Sequence, residues 1–184
     1  LEKIKSLSES YSHEVIGLRR HLHEHPELSY QEFNTAKFVA GKLRDYGIDP
    51  KEGVATTGIV ALIKGKSPDK KTVALRADMD ALPIEEANNV SYKSRHPGIM
   101  HACGHDVHTS SLLGTAKILS AIKDQFEGTV KLIFQPGEEK NPGGASLMIK
   151  DGVLQNPAPQ GILALHVHTA MEVGKLSFRG GQVM

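Results

Sequence analysis

The chain has 184 residues, of which 39% are hydrophobic, enough to bury the core of one globular domain of ordinary size. Its 22 Lys and Arg nearly balance 21 Asp and Glu and are scattered along the sequence, so nothing indicates nucleic acid or an anionic membrane as a partner. No apolar run approaches the ~20 residues of a membrane span, so we expect a soluble protein. A single cysteine forms no internal disulfide, which favours the cytoplasm as its compartment.

Two helices are predicted at the start of the chain. The pattern from Glu2 to Glu24 is amphipathic, and Pro26 ends this helix because the residue before a proline is disfavoured in the helical region. Apolar side chains then recur at helical spacing from Ala36 to Tyr46. Gly47 follows them at the position where a glycine commonly ends a helix.

Short apolar runs alternate with helical ones over the rest of the chain. Helices are predicted from Asp106 to Ile122 and from Gly144 to Lys150. Runs rich in Val, Ile and Leu predict buried strands at Gly58 to Ile63, Thr72 to Arg76, Thr129 to Phe134 and Ile162 to Val167. Strands that alternate with helices indicate an α/β sandwich with a mostly parallel sheet.

Polar residues follow three of these strands at the point where each strand ends. In α/β sheets, ligands bind outside the carboxyl ends of the strands. These three segments are therefore the first candidates for a functional site. They supply Asp78 and Asp80, Glu138 and Glu139, and His166 and His168.

Cysteine and histidine cluster just before the helix that begins near Asp106. Cys103 and His105 flank a glycine, which permits a tight backbone that points both side chains at one ion. A lone cysteine is more often a small buried hydrophobe, and a structural role is equally open for His101, His108 and His168. Thiolate, imidazole and carboxylate are nevertheless ligands that suit Zn²⁺ and similar metals.

Glu138 and Glu139 are adjacent, so their side chains diverge from an extended or tightly turned backbone. One carboxylate is then able to bind a metal while the other faces the substrate. A solvated acidic turn is the alternative for an isolated Glu-Glu pair. Asp106 suits the N-cap of the following helix and is also compatible with support of a metal ligand. His21, His23 and His25 are assigned to a helix end and turn, without a metal role.

Five ordered motifs resemble the amidohydrolase branch of the aminoacylase/carboxypeptidase metallopeptidases, which includes hippurate hydrolase, the auxin-conjugate hydrolases and N-acetyl-diaminopimelate deacetylase. They span most of the chain. The motifs are His23 to Leu28, Arg76 to Pro83, His101 to Asp106, Phe134 to Glu139 and Leu165 to His166.

The resemblance implies a three-layer sandwich of the zinc-exopeptidase type and a centre of two divalent metal ions, Zn²⁺ or Mn²⁺, with Co²⁺ or Ni²⁺ able to compete. Its implied ligands are Cys103, His105, Glu139 and His166. Glu138 is implied as the general acid/base. Asp80 is implied as the carboxylate that orients the site, while the role of Asp78 is left open. Gly137 stands where alanine is commoner, a difference expected to matter little.

The resemblance also implies that residues 1–184 are the N-terminal part of the catalytic domain. Family members insert a lid and dimerisation domain after a segment like Gly174 to Met184, and the expected homodimer forms through that lid. The expected reaction is hydrolysis of the amide bond of N-acyl amino acids. The alternatives are a non-catalytic or degenerate metal-binding domain, and a thiol hydrolase that uses Cys103 with a histidine base.

Overall fold

The computed structural model describes residues 1–178, 180 and 181. The expected point of insertion, after Gly174 to Met184, therefore lies partly outside the described residues. Within these residues, four α-helices and five strands follow one another in the order α1 (Glu2–Glu24), α2 (Phe33–Asp45), β1 (Pro50–Val54), β2 (Gly58–Lys64), β3 (Thr72–Asp78), α3 (His105–Ala121), β4 (Thr129–Gln135), α4 (Gly144–Lys150) and β5 (Ile162–Ala164). No helix in the described part of the chain is long and apolar enough to cross a membrane.

The strands form one mixed sheet in the order β1-β2-β4-β3-β5. β2 runs antiparallel to both β1 and β4, whereas β3 runs parallel to β4 and to β5. Every strand except β2 therefore points in the same direction. The carboxyl ends of β3, β4 and β5 consequently meet at one edge of the sheet, which is where the polar residues of the sequence follow.

Helices cover both faces of the sheet. The larger core cluster joins α2 and α3 to one face and includes Val39, Leu43, Leu113, Leu132 and Phe134, all 0% exposed. The smaller cluster packs α4 on the other face through Met148 and Ile133. The three layers account for the burial of β4, because every one of its residues is buried and a strand buried on both faces needs cover on both.

Two elements differ from the sequence-based expectation. β1 lies outside the strands expected from the sequence, because Pro50 to Val54 contains proline and glycine and its three central residues are exposed, as an edge strand allows. The expected buried strand from Ile162 to Val167 is shorter, and it is exposed rather than buried. Ile162 and Leu163 in β5 are 49% and 67% exposed, because within the described residues β5 pairs only with β3.

Candidate metal centre

Three strands and one helix bring the candidate ligands to the same edge of the sheet. Asp78 is the last residue of β3, Glu138 and Glu139 follow β4, and His166 follows β5. His105 is the first residue of α3. The hydroxyl of Thr109, one turn further along α3, donates to the carbonyl of Asp78 at 2.6 Å, so the start of α3 is anchored to the end of β3.

Cys103, His105 and His166 form the first group with metal-binding geometry. One ligand atom from each lies within 4.8 Å of the others, and Cys103 Sγ is 3.5 Å from His166 Nε2. His166 Nδ1 donates to the carbonyl of Val167 at 2.6 Å, which leaves Nε2 free to face the sulfur. His105 Nε2 is buried and has no hydrogen-bond partner within the described residues.

The two adjacent glutamates approach the same histidine nitrogen. His105 Nε2 lies 3.9 Å from Glu138 Oε2 and 3.8 Å from Glu139 Oε1. The side chain of Glu138 is 44% exposed and that of Glu139 is 25% exposed. Glu139 therefore lies deeper among the candidate ligands, while Glu138 stands nearer to solvent.

Asp80 orients the imidazole of His105. Its Oδ1 lies 3.2 Å from His105 Nδ1, and its Oδ2 accepts hydrogen bonds from Ser29 Oγ at 2.6 Å and from the backbone N–H of Glu139 at 3.0 Å. Burial raises the pKa of Asp80, but the hydrogen bonds outweigh burial and hold that pKa well below its usual range. Asp80 is therefore ionised and accepts the proton of His105 Nδ1. This leaves His105 Nε2 with its lone pair as the atom that can bind a metal.

The sequence left the roles of Asp78 and His108 open, and in the structure the two side chains are hydrogen-bonded to each other. His108 Nδ1 lies 2.6 Å from Asp78 Oδ1, and Arg76 donates to Asp78 Oδ2 at 2.6 Å. His108 Nε2 accepts the backbone N–H of Val167 at 3.0 Å. Asp78, His105 and His108 lie close enough to hold an ion. Both nitrogens of His108 already have partners, however, and its pairing with Asp78 holds the segment that follows β5 at Val167.

His101 and His168 lie outside these groups of candidate ligands. His101 is buried with both ring nitrogens unpartnered within the described residues, and burial lowers its pKa to about 4, so it is a neutral imidazole at pH 7. His168 is exposed, and its Nδ1 accepts the backbone N–H of Ala170 at 3.2 Å.

The electrostatics of the site favour a bound cation. Burial lowers the pKa of His105, but Asp80, Asp78 and Glu139 together raise it above its ordinary value. Burial and the nearby Glu139 carboxylate raise the pKa of Cys103 to about 12. A thiolate there needs a compensating positive charge, as a metal ion supplies. The same shift argues against Cys103 as a free thiolate nucleophile.

Sequence reasoning missed a buried charged cluster behind the site. His23 Nδ1 lies 2.7 Å from Asp106 Oδ2, and its Nε2 lies 3.0 Å from Glu86 Oε1. The bond to Asp106 raises the pKa of His23 and outweighs burial, with Glu86 adding to the rise. His23 lies in the last turn of α1, as expected, and it also links α1 to Asp106 and Glu86. Asp106 is not the N-cap of α3, since Gly104 occupies that position.

Comparisons with known proteins place the chain among metallopeptidases and amidohydrolases. The sequence model of peptidase family M20/M25/M40 matches residues 74–181. The chain is 44% identical to the N-acyl-L-amino acid amidohydrolase of Geobacillus stearothermophilus, over 100% of this chain and 49% of that protein. It is 46% identical to IAA-amino acid hydrolase ILR1-like 5 of Arabidopsis thaliana, over 92% of this chain and 38% of that protein.

A solved structure gives the same fold. A dinuclear metal-binding peptidase of the M20 family from Bacillus subtilis superimposes with a TM-score of 0.84 at 41% identity, over 90% of this chain and 46% of that one. The α/β fold and the resemblance seen in the sequence are thereby confirmed. The chain spans about half, or less, of the length of the curated relatives it matches.

Proposed function

Because the chain belongs to peptidase family M20/M25/M40, we propose that it carries most of the catalytic centre of a metal-dependent amidohydrolase. The proposed reaction is hydrolysis of the amide bond of N-acyl amino acids. The observation that carries this proposal is the convergence of Cys103, His105, Glu138, Glu139 and His166 at one edge of the sheet. His105 Nε2, buried without a partner in the described residues, is the ligand atom around which they gather.

The donor set fits divalent metal ions. The set combines a soft thiolate, two borderline imidazoles and a hard carboxylate, a mixture that suits borderline divalent ions such as Zn²⁺. We assign Cys103, His105, Glu139 and His166 to two ions, with Asp80 as the carboxylate that fixes the ring of His105. Zn²⁺ or Mn²⁺ are the proposed ions, and Co²⁺ or Ni²⁺ are able to take their place.

Bound divalent ions lower the pKa of a coordinated water toward ~7 and polarise a scissile carbonyl. Glu138 is assigned to take a proton from the attacking water, because its carboxylate is 3.9 Å from His105 Nε2 and its side chain remains partly exposed. The same carboxyl then gives that proton to the departing amine. Positioned proton transfer of this kind contributes roughly 10²- to 10⁴-fold to the rate.

The proposed partners follow from the same assignment. The substrate is a small N-acyl amino acid, and the relatives named as N-acyl-L-amino acid amidohydrolase and IAA-amino acid hydrolase support that class. Cys103 is useful as a ligand only while reduced, which supports the cytoplasm as the compartment. A homodimer formed through a lid domain is the proposed assembly of the full-length protein.

Metal removal and reconstitution test the proposal. The full-length protein is assayed with N-acetyl, N-benzoyl and indole-acetyl amino acids, first with its metal, then after complete chelation, and then with Zn²⁺, Mn²⁺, Co²⁺ or Ni²⁺ restored. We expect activity to disappear with the metal and to return with at least one of the four ions. Hydrolysis that is unchanged after elemental analysis shows no remaining metal would refute the assignment.

A further inference from the structure

The turn that carries Glu138 and Glu139 is held by a short segment far away in the sequence. We call residues Ser29 to Glu32, which connect α1 to α2, the brace segment. Ser29 is buried and Glu32 is 0% exposed, although both are polar and neither belongs to a candidate metal group. Side chains of Ser29, Tyr30 and Glu32 each make a hydrogen bond to the turn or to Asp80.

Glu32 binds the turn through its backbone. Its Oε1 accepts the N–H of Gly137 at 2.8 Å, across 105 positions of sequence, and its Oε2 accepts the hydroxyl of Thr57 at 2.6 Å. Burial raises the pKa of Glu32 above its ordinary value, and the causes that lower it are hydrogen bonds from neutral groups. Burying a carboxyl group costs free energy unless its oxygens are hydrogen-bonded. The hydrogen bond from Gly137 therefore stabilises the buried Glu32, and Glu32 in turn fixes the Gly137 peptide.

Tyr30 covers the other side of the same glycine. Gly137 has a φ of +53°, and a Cβ at this position would stand 2.4 Å from Tyr30 Cε1. The hydroxyl of Tyr30 donates to the carbonyl of Lys140 at 3.0 Å. An alanine at position 137 would therefore require the Tyr30 ring to move, so the glycine has a role that the sequence did not assign to it.

Ser29 joins the brace segment to the metal side of the turn. Its hydroxyl donates to Asp80 Oδ2, and the backbone N–H of Glu139 donates to the same oxygen. The other oxygen of Asp80 contacts His105. A shift of the brace segment is therefore transmitted to the backbone at both Gly137 and Glu139, which lie on either side of Glu138.

We propose that the brace segment is a positioning element for the acid/base Glu138, with Glu32 as its principal residue. By fixing the Gly137 peptide, Glu32 sets the direction in which the Glu138 side chain leaves the turn. Glu32 touches neither substrate nor metal in this assignment. The inference rests on the proposed role of Glu138, and it adds residues that no ligand pattern in the sequence identifies.

Substitution of Glu32 tests this role in the full-length, metal-loaded enzyme. Glu32→Leu removes the acceptor for Gly137, and we expect kcat to fall by about 10- to 100-fold, as small displacements of a reacting group do, with KM and metal content little changed. Glu32→Gln keeps one acceptor oxygen for Gly137 and lets the Thr57 hydroxyl reorient. We expect this variant to recover most of the lost kcat.

Glu27→Leu is the matched control. The Glu27 carboxylate lies in the same connection, but it accepts the backbone N–H groups of Asn34 and Thr35 at the start of α2. We expect this variant to lower Tm and leave kcat per folded enzyme unchanged. A purely structural role for Glu32 would give the same pattern as Glu27, and that result would overturn the proposal.

Two further variants keep the outcome decisive. If Glu32→Leu does not fold, Ser29→Ala is measured instead. We expect its kcat to fall severalfold at unchanged metal content, and an unchanged kcat refutes the positioning role. Glu138→Gln is assayed beside them: if it stays active, the acid/base assignment itself has failed. If it is inactive while Glu32→Leu is fully active, only the brace segment has been misinterpreted.

Discussion

The exchange of Glu138 for glutamine separates catalysis from metal binding within two adjacent residues. Glutamine keeps the size of the side chain and removes its ability to accept a proton. Glu139 stays in place, because its backbone N–H is held by Asp80 Oδ2 at 3.0 Å. Its carboxylate lies deeper than that of Glu138 and next to the Cys103 thiol, whose pKa it raises. We therefore expect Glu138→Gln to retain its metal.

The size of the loss follows from the proton transfer that disappears. General acid/base catalysis contributes roughly 10²- to 10⁴-fold, and each factor of ten corresponds to about 1.36 kcal/mol of activation free energy. Glu138→Gln should therefore raise the barrier by about 2.7–5.4 kcal/mol. Because glutamine still fills the same space at the edge of the site, the change should appear in kcat rather than in KM.

Steady-state kinetics and elemental analysis of the full-length enzyme give the answer together. Glu139→Gln is the matched control, since it alters the neighbouring residue in the same way, and we expect it to lose metal. Turnover by Glu138→Gln within a few-fold of the unmodified enzyme would refute the acid/base role. Loss of metal from Glu138→Gln, with metal retained in Glu139→Gln, would show that the two glutamates have been assigned the wrong way round.

Three further predictions address the ligands, the buried charges and the core. Cys103→Ser should lose metal, because a hydroxyl stays protonated where a thiolate would bind; undiminished metal would exclude Cys103 as a ligand. His23 has a raised pKa, so its stabilisation is complete below the unfolded pKa of about 6.5 and is lost as the pH rises through the folded pKa. The unfolding free energy that His23→Gln removes should therefore be larger at pH 6 than at pH 9 in denaturant titrations, and an equal loss at both would contradict the imidazolium assignment. Leu132→Ala should lower the unfolding free energy by about 2–5 kcal/mol, because Leu132 is 0% exposed in the central strand β4; a loss below about 1 kcal/mol would show that the site tolerates the cavity.

Local sequence patterns were sufficient for most elements, and they named the residues that the structure brings together at one edge of the sheet. The predicted helix at Gly144–Lys150 has the observed bounds, and the predicted strands at β3 and β4 begin where the structure begins them. These elements could be predicted because the spacing of apolar residues along the chain indicates which face of a helix or strand is buried. The candidate ligands stood out for a similar reason, since carboxylate and imidazole groups follow the ends of β3, β4 and β5, and Cys103 and His105 stand together at the start of α3.

The tertiary structure alone decided which of these groups meet and what holds them. His108 is paired with Asp78 and the backbone of Val167, His23 lies between Glu86 and Asp106, and the edge strand β1 closes one side of the sheet. The bond between Glu32 and Gly137 joins positions 105 apart. Spacing along the chain carries information about neighbours on one helix or strand, whereas contacts between distant segments depend on strand order and on which buried polar atoms find partners, and these are settled only when the chain is packed.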